Sequence, residues 1–234
     1  MHNLDLHKAT LIDILKAIYG NVDIRTVLGF KGGTAAMLFY DLPRISVDLD
    51  FDLLNENKKE IVFATMKTLL ATFGDIIEAT DKHYTLFYIL RYQKGERLLK
   101  VDISKRTTGT QYETKQYLGI PMLVARQEDM TAGKLAALLT RNRFAARDIF
   151  DLWYFLSNHW PISSIVVKEK TTFSLNEALQ QAIDKVEKLN QTQLLQGLGD
   201  LLNEKQRGWA RAHLQKDLLF SLRFYLQNEN EKNG

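Results

Sequence analysis

The sequence predicts an α+β protein in which a mixed sheet with flanking helices precedes a C-terminal helical domain. Before about residue 105, short segments either alternate apolar and polar residues or concentrate β-branched and aromatic ones, which is typical of strands. From Glu128 onward, apolar residues recur at helical spacing almost to the end of the chain. The 234 residues are 45% hydrophobic and 25% charged, values typical of a globular chain with a large core.

The elements of the first half follow from local patterns. Apolar residues at helical spacing predict a helix over 4–19, and Gly20 provides its stop. A strand over 24–30, a turn at Gly32 and Gly33 and a short helix over 34–40 come next. Period-2 alternation predicts a strand over 45–53. The remaining predictions here are a helix over 55–73 and strands over 76–80, 84–92 and 97–103, with a hairpin turn at 94–96.

The second half is predicted to be helical, with segments near 128–140, 147–158, 174–188 and 209–227. The change of pattern puts a soft boundary between Gly119 and Gln127. We therefore expect a first domain over 1–122 and a helical domain over 123–234.

Composition excludes several kinds of site. The chain has no cysteine, so disulfides, thiolate nucleophiles and cysteine-ligated metals are excluded. Its five histidines show no metal-ligand spacing, so a metal would be held mainly by oxygen. A net charge of +3 is too small to indicate a nucleic-acid partner by itself.

The ends and the hydropathy of the chain bear on its location. No apolar run approaches the roughly 18 residues that cross a bilayer. The start Met1, His2, Asn3 lacks the charged-then-apolar layout of a signal peptide. We expect a cytoplasmic protein with no membrane partner.

Three aspartates are candidate metal ligands. Asp48 and Asp50 are two residues apart in a predicted strand, so their side chains leave the same face. Asp102 lies in another predicted strand among apolar neighbours, where an unpaired charge is costly to bury. Carboxylate oxygens suit Mg²⁺, and two such ions can stabilise the attacking and leaving oxygens of an in-line displacement.

The glycine turn is a candidate phosphate site. Gly32 and Gly33 allow backbone amides to approach a phosphate, and the following helix directs its positive end at the anion. Thr34 could donate its hydroxyl to the same anion.

Together these residues resemble a known signature. The string Lys31-Gly32-Gly33-Thr34, followed after thirteen residues by Asp48-Leu49-Asp50, resembles the polymerase-beta nucleotidyltransferase superfamily. The longer string over 30–51 more narrowly resembles the AbiEii/AbiGii toxin nucleotidyltransferases. That family also has a later helical lysine and an Arg-Asp-x-x-Asp-Leu helix, which Lys134 and the segment Arg147-Asp148-Ile149-Phe150-Asp151-Leu152 match.

The resemblance implies a reaction and a set of roles. A nucleoside monophosphate would pass from a nucleoside triphosphate (NTP) to an acceptor, with release of pyrophosphate. The metal, Mg²⁺ or Mn²⁺, would bind to Asp48, Asp50 and Asp102, and Asp102 could also take the proton of the attacking hydroxyl. Gly32, Gly33 and Thr34 would hold phosphates, and Lys134 and Asp148 would be contributed by the helical domain to a cleft between the two domains, with Lys134 neutralising triphosphate charge.

The resemblance also implies partners. Toxin nucleotidyltransferases point to transfer RNA as the acceptor and to a cognate antitoxin protein. Two basic stretches fit an RNA acceptor: 91–115 holds seven Lys or Arg against three acids, and 126–147 holds five against two. The alternatives are transfer to a small molecule or a protein hydroxyl, and a nucleotide-binding module that does not catalyse.

Several of these residues also have structural interpretations. Asp102 could be an exposed edge-strand residue paired with Lys100 or Lys105, and Lys134 could be a surface lysine. Asp52 is interpreted as a solvated strand end and is left out of the site. The remaining alternatives are an ion pair between Arg147 and Asp151, and phosphate binding or turn fixing by Arg44 and Ser46.

Overall fold

A seven-stranded mixed sheet organises the N-terminal part of the chain in the computed structural model, which describes residues 3–233. Met1 and His2, used in the prediction of location, and Gly234 lie outside the described residues. The chain forms two compact units. The first contains the residues up to Asp41, Ile45–Thr107 and Tyr112–Ala125, and the second contains Leu42–Arg44, Thr108–Gln111 and the chain from Arg126 onward.

The sheet of the first unit has strand order β3-β4-β5-β2-β1-β7-β6. Its strands are β1 (Leu28–Lys31), β2 (Asp48–Leu53), β3 (Asp75–Asp81), β4 (Thr85–Arg91), β5 (Leu99–Ser104), β6 (Tyr112–Tyr117) and β7 (Ile120–Ala125). β1 pairs in parallel with β7 and β2 with β5, whereas the other neighbours are antiparallel. The sheet is therefore mixed and mostly antiparallel, as predicted.

Three helices complete the first unit: α1 (Leu4–Gly20), α2 (Gly32–Phe39) and α3 (Lys59–Ala71). The Asn3 side chain caps α1 by accepting from the Leu6 amide, which satisfies one of the free N–H groups at the helix start. The apolar stripe of α1 and the inward side chains of β1, β2, β4 and β5 are fully buried and form the core. The burial of this core leaves the opposite faces of β2 and β5 to carry polar side chains.

The second unit contains six helices among the described residues: α4 (Gln127–Thr140), α5 (Ala146–Ser157), α6 (Ser164–Thr171), α7 (Leu175–Glu187), α8 (Gln191–Leu195) and α9 (Glu204–Asn233). A capping box begins α7, where Ser174 and Glu177 each accept from the other's backbone amide. α9 packs on α5 and α7, and α4 packs on α5, α6 and α7. None of the helices described between residues 3 and 233 has an apolar stretch long enough to span a bilayer.

The α+β class is confirmed, but the hairpin of β6 and β7 was missing from the sequence prediction. β6 reads Tyr-Glu-Thr-Lys-Gln-Tyr, whose charged residues hide its period-2 alternation. Leu118 and Gly119 connect the two strands with φ angles of 49° and 79°, which is the two-residue turn that matches strand twist. The short helix α6 was also missing, because its eight residues give too little periodicity to detect.

Candidate active site

The strand register brings the three predicted aspartates to one face of the sheet. Asp48 and Asp50 alternate with the buried Leu49 on β2, so both side chains leave the polar face. In the parallel pair of β2 and β5, Asp50 lies directly opposite Asp102. Because direct cross-strand partners share a face, the Asp102 side chain lies on the same side as the other two.

Asp102 is not the edge residue that the structural alternative described. β5 is an interior strand between β4 and β2, and Asp102 is half-buried. Its Oδ1 accepts a hydrogen bond of 2.5 Å from the Thr85 hydroxyl of β4. Lys105 pairs with Asp81 instead. Thr85 therefore fixes the orientation of the Asp102 carboxylate.

The donor set fits a hard divalent cation by its chemistry, because all three side chains offer carboxylate oxygens. Gly32 makes room for one of these carboxylates. A Cβ at this position would lie 2.4 Å from Asp50 Oδ2, so only glycine leaves space for the Asp50 side chain. Over residues 3–233, however, no three Asp, Glu, His or Cys side chains are close enough together to hold a metal ion. The strand positions thus support a shared ion, whereas the present side-chain positions do not form a complete ligand set.

The glycine turn joins β1 to α2. Gly32 has a φ of +80°, a left-handed conformation that favours glycine, and it is the first residue of α2. The Lys31 side chain does not cap this helix, so the free N–H groups of its first turn are available to an anion. Gly33 is buried in this turn. This geometry suits the backbone binding of a phosphate.

The hydroxyl role predicted for Thr34 needs correction. Thr34 is fully buried, and its hydroxyl donates to the backbone carbonyl of Asp48. A hydroxyl has one proton to donate, so it does not donate to a phosphate at the same time. Thr34 instead ties α2 to the start of the acidic strand, while its backbone amide stays in the first turn of the helix.

Asp52 is not the solvated strand end that the sequence indicated. It is 5% exposed, and its carboxylate accepts from the Lys31 ammonium and the Tyr112 hydroxyl. The Tyr112 ring covers Gly29, where a Cβ would lie 2.3 Å from the ring. Asp52 therefore holds Lys31 at the edge of the acidic face. The sequence analysis did not predict β6, and therefore could not place Tyr112 beside Asp52.

Lys134 and Asp148 belong to a buried ion network of the second unit. Lys134 Nζ lies 2.8 Å from Asp148 Oδ1 and 2.7 Å from Asp151 Oδ2. Arg44 donates to both Asp151 oxygens, at 2.5 and 2.6 Å. Arg141 Nε lies 3.2 Å from Asp148 Oδ2, within ion-pair range, although the contact lacks the alignment of a hydrogen bond. Asp148 and Asp151 join α5 to the lysine of α4.

The charges of this network stabilise one another. Burial disfavours the charged form of Lys134, but Asp148 and Asp151 outweigh it and raise the pKa of the lysine. Burial likewise disfavours the Asp151 carboxylate, but Arg44 and Lys134 outweigh it and lower the pKa of that carboxyl. Both groups are therefore charged at neutral pH.

The network also decides between earlier alternatives. Asp151 is fully buried and pairs with Arg44 and Lys134, whereas the sequence suggested a surface pair with Arg147. Arg44 donates to Asp151 through two of its guanidinium nitrogens, so it fixes the local structure. Lys134 is 13% exposed and is not an ordinary surface lysine.

Comparisons with known proteins identify a family and a shared fold. A family model described as the nucleotidyl transferase AbiEii toxin of type IV toxin–antitoxin systems matches residues 13–221. A solved structure described as a candidate nucleotidyltransferase from H. pylori superposes with a TM-score of 0.65 at 22% identity, covering 97% of this chain and 96% of that one. JHP933 from Helicobacter pylori gives a TM-score of 0.59 at 20% identity, with 99% and 98% covered.

At these identities the two solved structures show a shared fold. No curated protein matches the chain. The family model, by contrast, spans most of the sequence and includes the glycine turn, the three aspartates and the ion network. The resemblance predicted from the sequence is therefore confirmed, and this chain belongs to the AbiEii family of nucleotidyltransferase toxins.

Proposed function

We propose that this nucleotidyltransferase transfers a nucleoside monophosphate from an NTP to an RNA hydroxyl, with tRNA as the acceptor and Mg²⁺ or Mn²⁺ as the cofactor. The observation that carries the proposal is the placement of Asp48, Asp50 and Asp102 on one sheet face beside the uncapped start of α2. When bound there, the metal would neutralise phosphate charge and stabilise the attacking and leaving oxygens.

The chain's own residues bind and orient the substrates. The first-turn amides of α2, at Gly33 and Thr34, hold the phosphates of the NTP. Asp102 accepts the proton of the attacking hydroxyl, and the Thr85 hydrogen bond keeps its carboxylate in place for that transfer. Gly32 leaves space for Asp50 close to the phosphate site.

Lys134 and Asp148 are kept as proposed catalytic residues. An ammonium group has three protons to donate, and Asp148 and Asp151 take two of them. The third is left for a phosphate oxygen of the substrate, and Asp148 holds the lysine for that contact. The partly exposed Lys134 side chain supports this role.

The family gives the protein a biological context. Type IV toxin–antitoxin membership implies a toxin that uses an NTP and is matched by an antitoxin. Because NTPs and tRNA are cytoplasmic substrates, the proposal places the toxin and its antitoxin in the cytoplasm.

A labelling experiment tests the proposal. The purified full chain is incubated with each α-³²P-labelled NTP, Mg²⁺ and either total RNA or total protein from the same cells. We expect label in RNA of tRNA size, loss of labelling with EDTA, and no labelling by Asp48→Asn or Asp50→Asn. Label in protein or in a small molecule would show that the acceptor is not RNA. Nucleotide binding without pyrophosphate release would indicate a non-catalytic module.

A further inference from the structure

The polar face that carries the three aspartates continues onto β4. In the antiparallel pair of β4 and β5, Phe87 lies directly opposite Asp102, and Ile89 lies opposite Lys100. Direct cross-strand partners share a face, so Phe87 and Ile89 extend the face beyond Asp102. Both side chains are only half-buried, and Lys100 is exposed.

The strand order shows on which side of the acidic strand β2 Phe87 and Ile89 lie, relative to the phosphate site. Across the sheet, β1 and the start of α2 lie on one side of β2, whereas β5 and then β4 lie on the other. In an in-line displacement, the attacking and leaving oxygens occupy opposite sides of the transferred phosphorus. With the triphosphate at Gly32 and Gly33, which rests on the proposed function, the acceptor approaches over β5 and β4.

The side chains on this approach suit a nucleotide. The Phe87 ring is flat and half-exposed, and the Lys82 ammonium lies 3.5 Å from its centre. Lys100 is exposed and lies opposite Asp48 of β2, and none of the ion pairs among the described residues from 3 to 233 includes it. An aromatic ring flanked by cations is the combination that binds single-stranded nucleic acid, since bases stack on rings and phosphates pair with lysines.

Charged side chains of both signs surround Phe87. Glu78 and Asp81 are the nearby acids of β3, and both already pair with lysines. On the face that carries Phe87, the lysines are Lys82, which pairs with Glu78, and Lys100, which lies opposite Asp48.

We propose that Phe87, Ile89 and Lys100 form the subsite for the 3′-terminal nucleotide of the RNA acceptor. The base takes the place of the Lys82 ammonium over the Phe87 ring and packs against Ile89, and Lys100 holds a backbone phosphate. The strand spacing of about 4.8 Å between Phe87 and Asp102 is a distance that one nucleotide covers. The ribose hydroxyl gives its proton to Asp102, its oxygen bonds to the α-phosphorus, and the bond from that phosphorus to pyrophosphate breaks.

Equilibrium binding without metal tests the subsite directly. A 5′-fluorescent RNA oligonucleotide with a single-stranded 3′ end is titrated in EDTA with the full chain and its variants. Phe87→Ala should weaken RNA binding about tenfold, and Phe87→Trp should restore it, because stacking on an aromatic ring is lost in one and kept in the other. Lys100→Ala should weaken binding and lower the slope of log affinity against log salt by about one.

Lys67→Ala is the matched control for Lys100→Ala. Lys67 is exposed on α3 and forms no ion pair among the described residues, so its loss should leave RNA affinity unchanged. In turnover assays, the Phe87 and Lys100 variants should raise KM for RNA and leave KM for the NTP as in the unmodified protein.

Two results separate the subsite from the proposed function. If the unmodified protein labels RNA but Phe87→Ala and Lys100→Ala bind RNA like Lys67→Ala, the subsite is wrong and the RNA transferase stands. If the unmodified protein labels protein or a small molecule and no RNA, both fail. Lys100→Ala keeps the test valid should Phe87→Ala not fold, because Lys100 is exposed.

Discussion

Gly32 shows how strongly one backbone position constrains the site. Its φ of +80° disfavours any side chain, and an added Cβ would meet the Asp50 carboxylate. Gly32→Ala should therefore cost about 1–2 kcal/mol of stability and displace Asp50, with a large loss of nucleotidyl transfer. Urea unfolding and the labelling assay measure the two effects.

Gly208→Ala is the control for that substitution. Gly208 lies in α9, and a Cβ there meets nothing within 4 Å. The change should be neutral or stabilise by about 0.5–1 kcal/mol, since alanine favours helix more than glycine. Equal effects of the two alanines would contradict the role given to Gly32.

The hydrogen bond from Tyr112 to the buried Asp52 should contribute to the stability of the fold. Tyr112→Phe removes a donor from a carboxylate that is almost fully buried, and should cost about 1–3 kcal/mol. Tyr117→Phe removes a hydroxyl of the same strand that makes no hydrogen bond among the described residues, and should cost little. Comparing the two free energies of unfolding tests whether the Asp52 contact stabilises the fold.

The contrast between Asp50 and Asp52 shows what the sequence could predict at single residues. Spacing along one strand was sufficient to put Asp48 and Asp50 on a common face. It also put Asp52 on that face, but its burial depends on Tyr112 and Lys31, which approach from other strands. A contact between residues far apart in sequence leaves no local pattern, so the sequence could not distinguish a buried carboxylate from a solvated one.

At the scale of elements, the network between α4 and α5 should be costly to break. Asp151→Asn removes the buried partner of Arg44 and Lys134 and should destabilise the protein by about 3–5 kcal/mol. Asp13→Asn breaks the exposed pair with Lys16 and should cost less than about 1 kcal/mol. Denaturant unfolding of both variants gives the comparison, and a small effect of Asp151→Asn would contradict mutual stabilisation.

The pKa shifts set the pH range of that stabilisation. The pKa of Asp151 is lowered from 3.8, so its contribution is present above that pH and is lost as pH falls through the lowered value. The pKa of Lys134 is raised from 10.5, so its contribution is complete below that pH and is lost as pH rises through the raised value. The stability difference between the unmodified protein and Asp151→Asn should therefore be constant from about pH 5 to 9 and shrink in strong acid.

The long elements were predictable because their patterns are local. Helix α1 and strands β3 to β5 appear within a few residues of their predicted bounds, since periodicity of apolar residues decides them. β1 begins four residues later than predicted, at Leu28, because the preceding apolar residues lie in turns. The hairpin of β6 and β7 is also local, but the charged side chains of β6 obscure its period-2 alternation.

At the scale of the whole molecule, membership in the toxin family predicts a growth phenotype. Induced expression in a bacterial host should arrest growth, and Asp50→Asn should abolish the arrest while the protein accumulates as a folded product. Colony counts and circular dichroism of the purified variant measure the two parts. Arrest by Asp50→Asn equal to that by the unmodified protein would separate toxicity from nucleotidyl transfer.

The pairing of β1 with β7 has a consequence for biosynthesis. Phe30 lies beside Val124, so the interior strand β1 lacks one of its two neighbours until the ribosome has synthesised β7. Such long-range closure is slow, and translation proceeds at roughly 5–20 residues per second. A nascent chain that already carries the glycine turn and all three aspartates therefore has an incomplete sheet until β7 has been synthesised and docked.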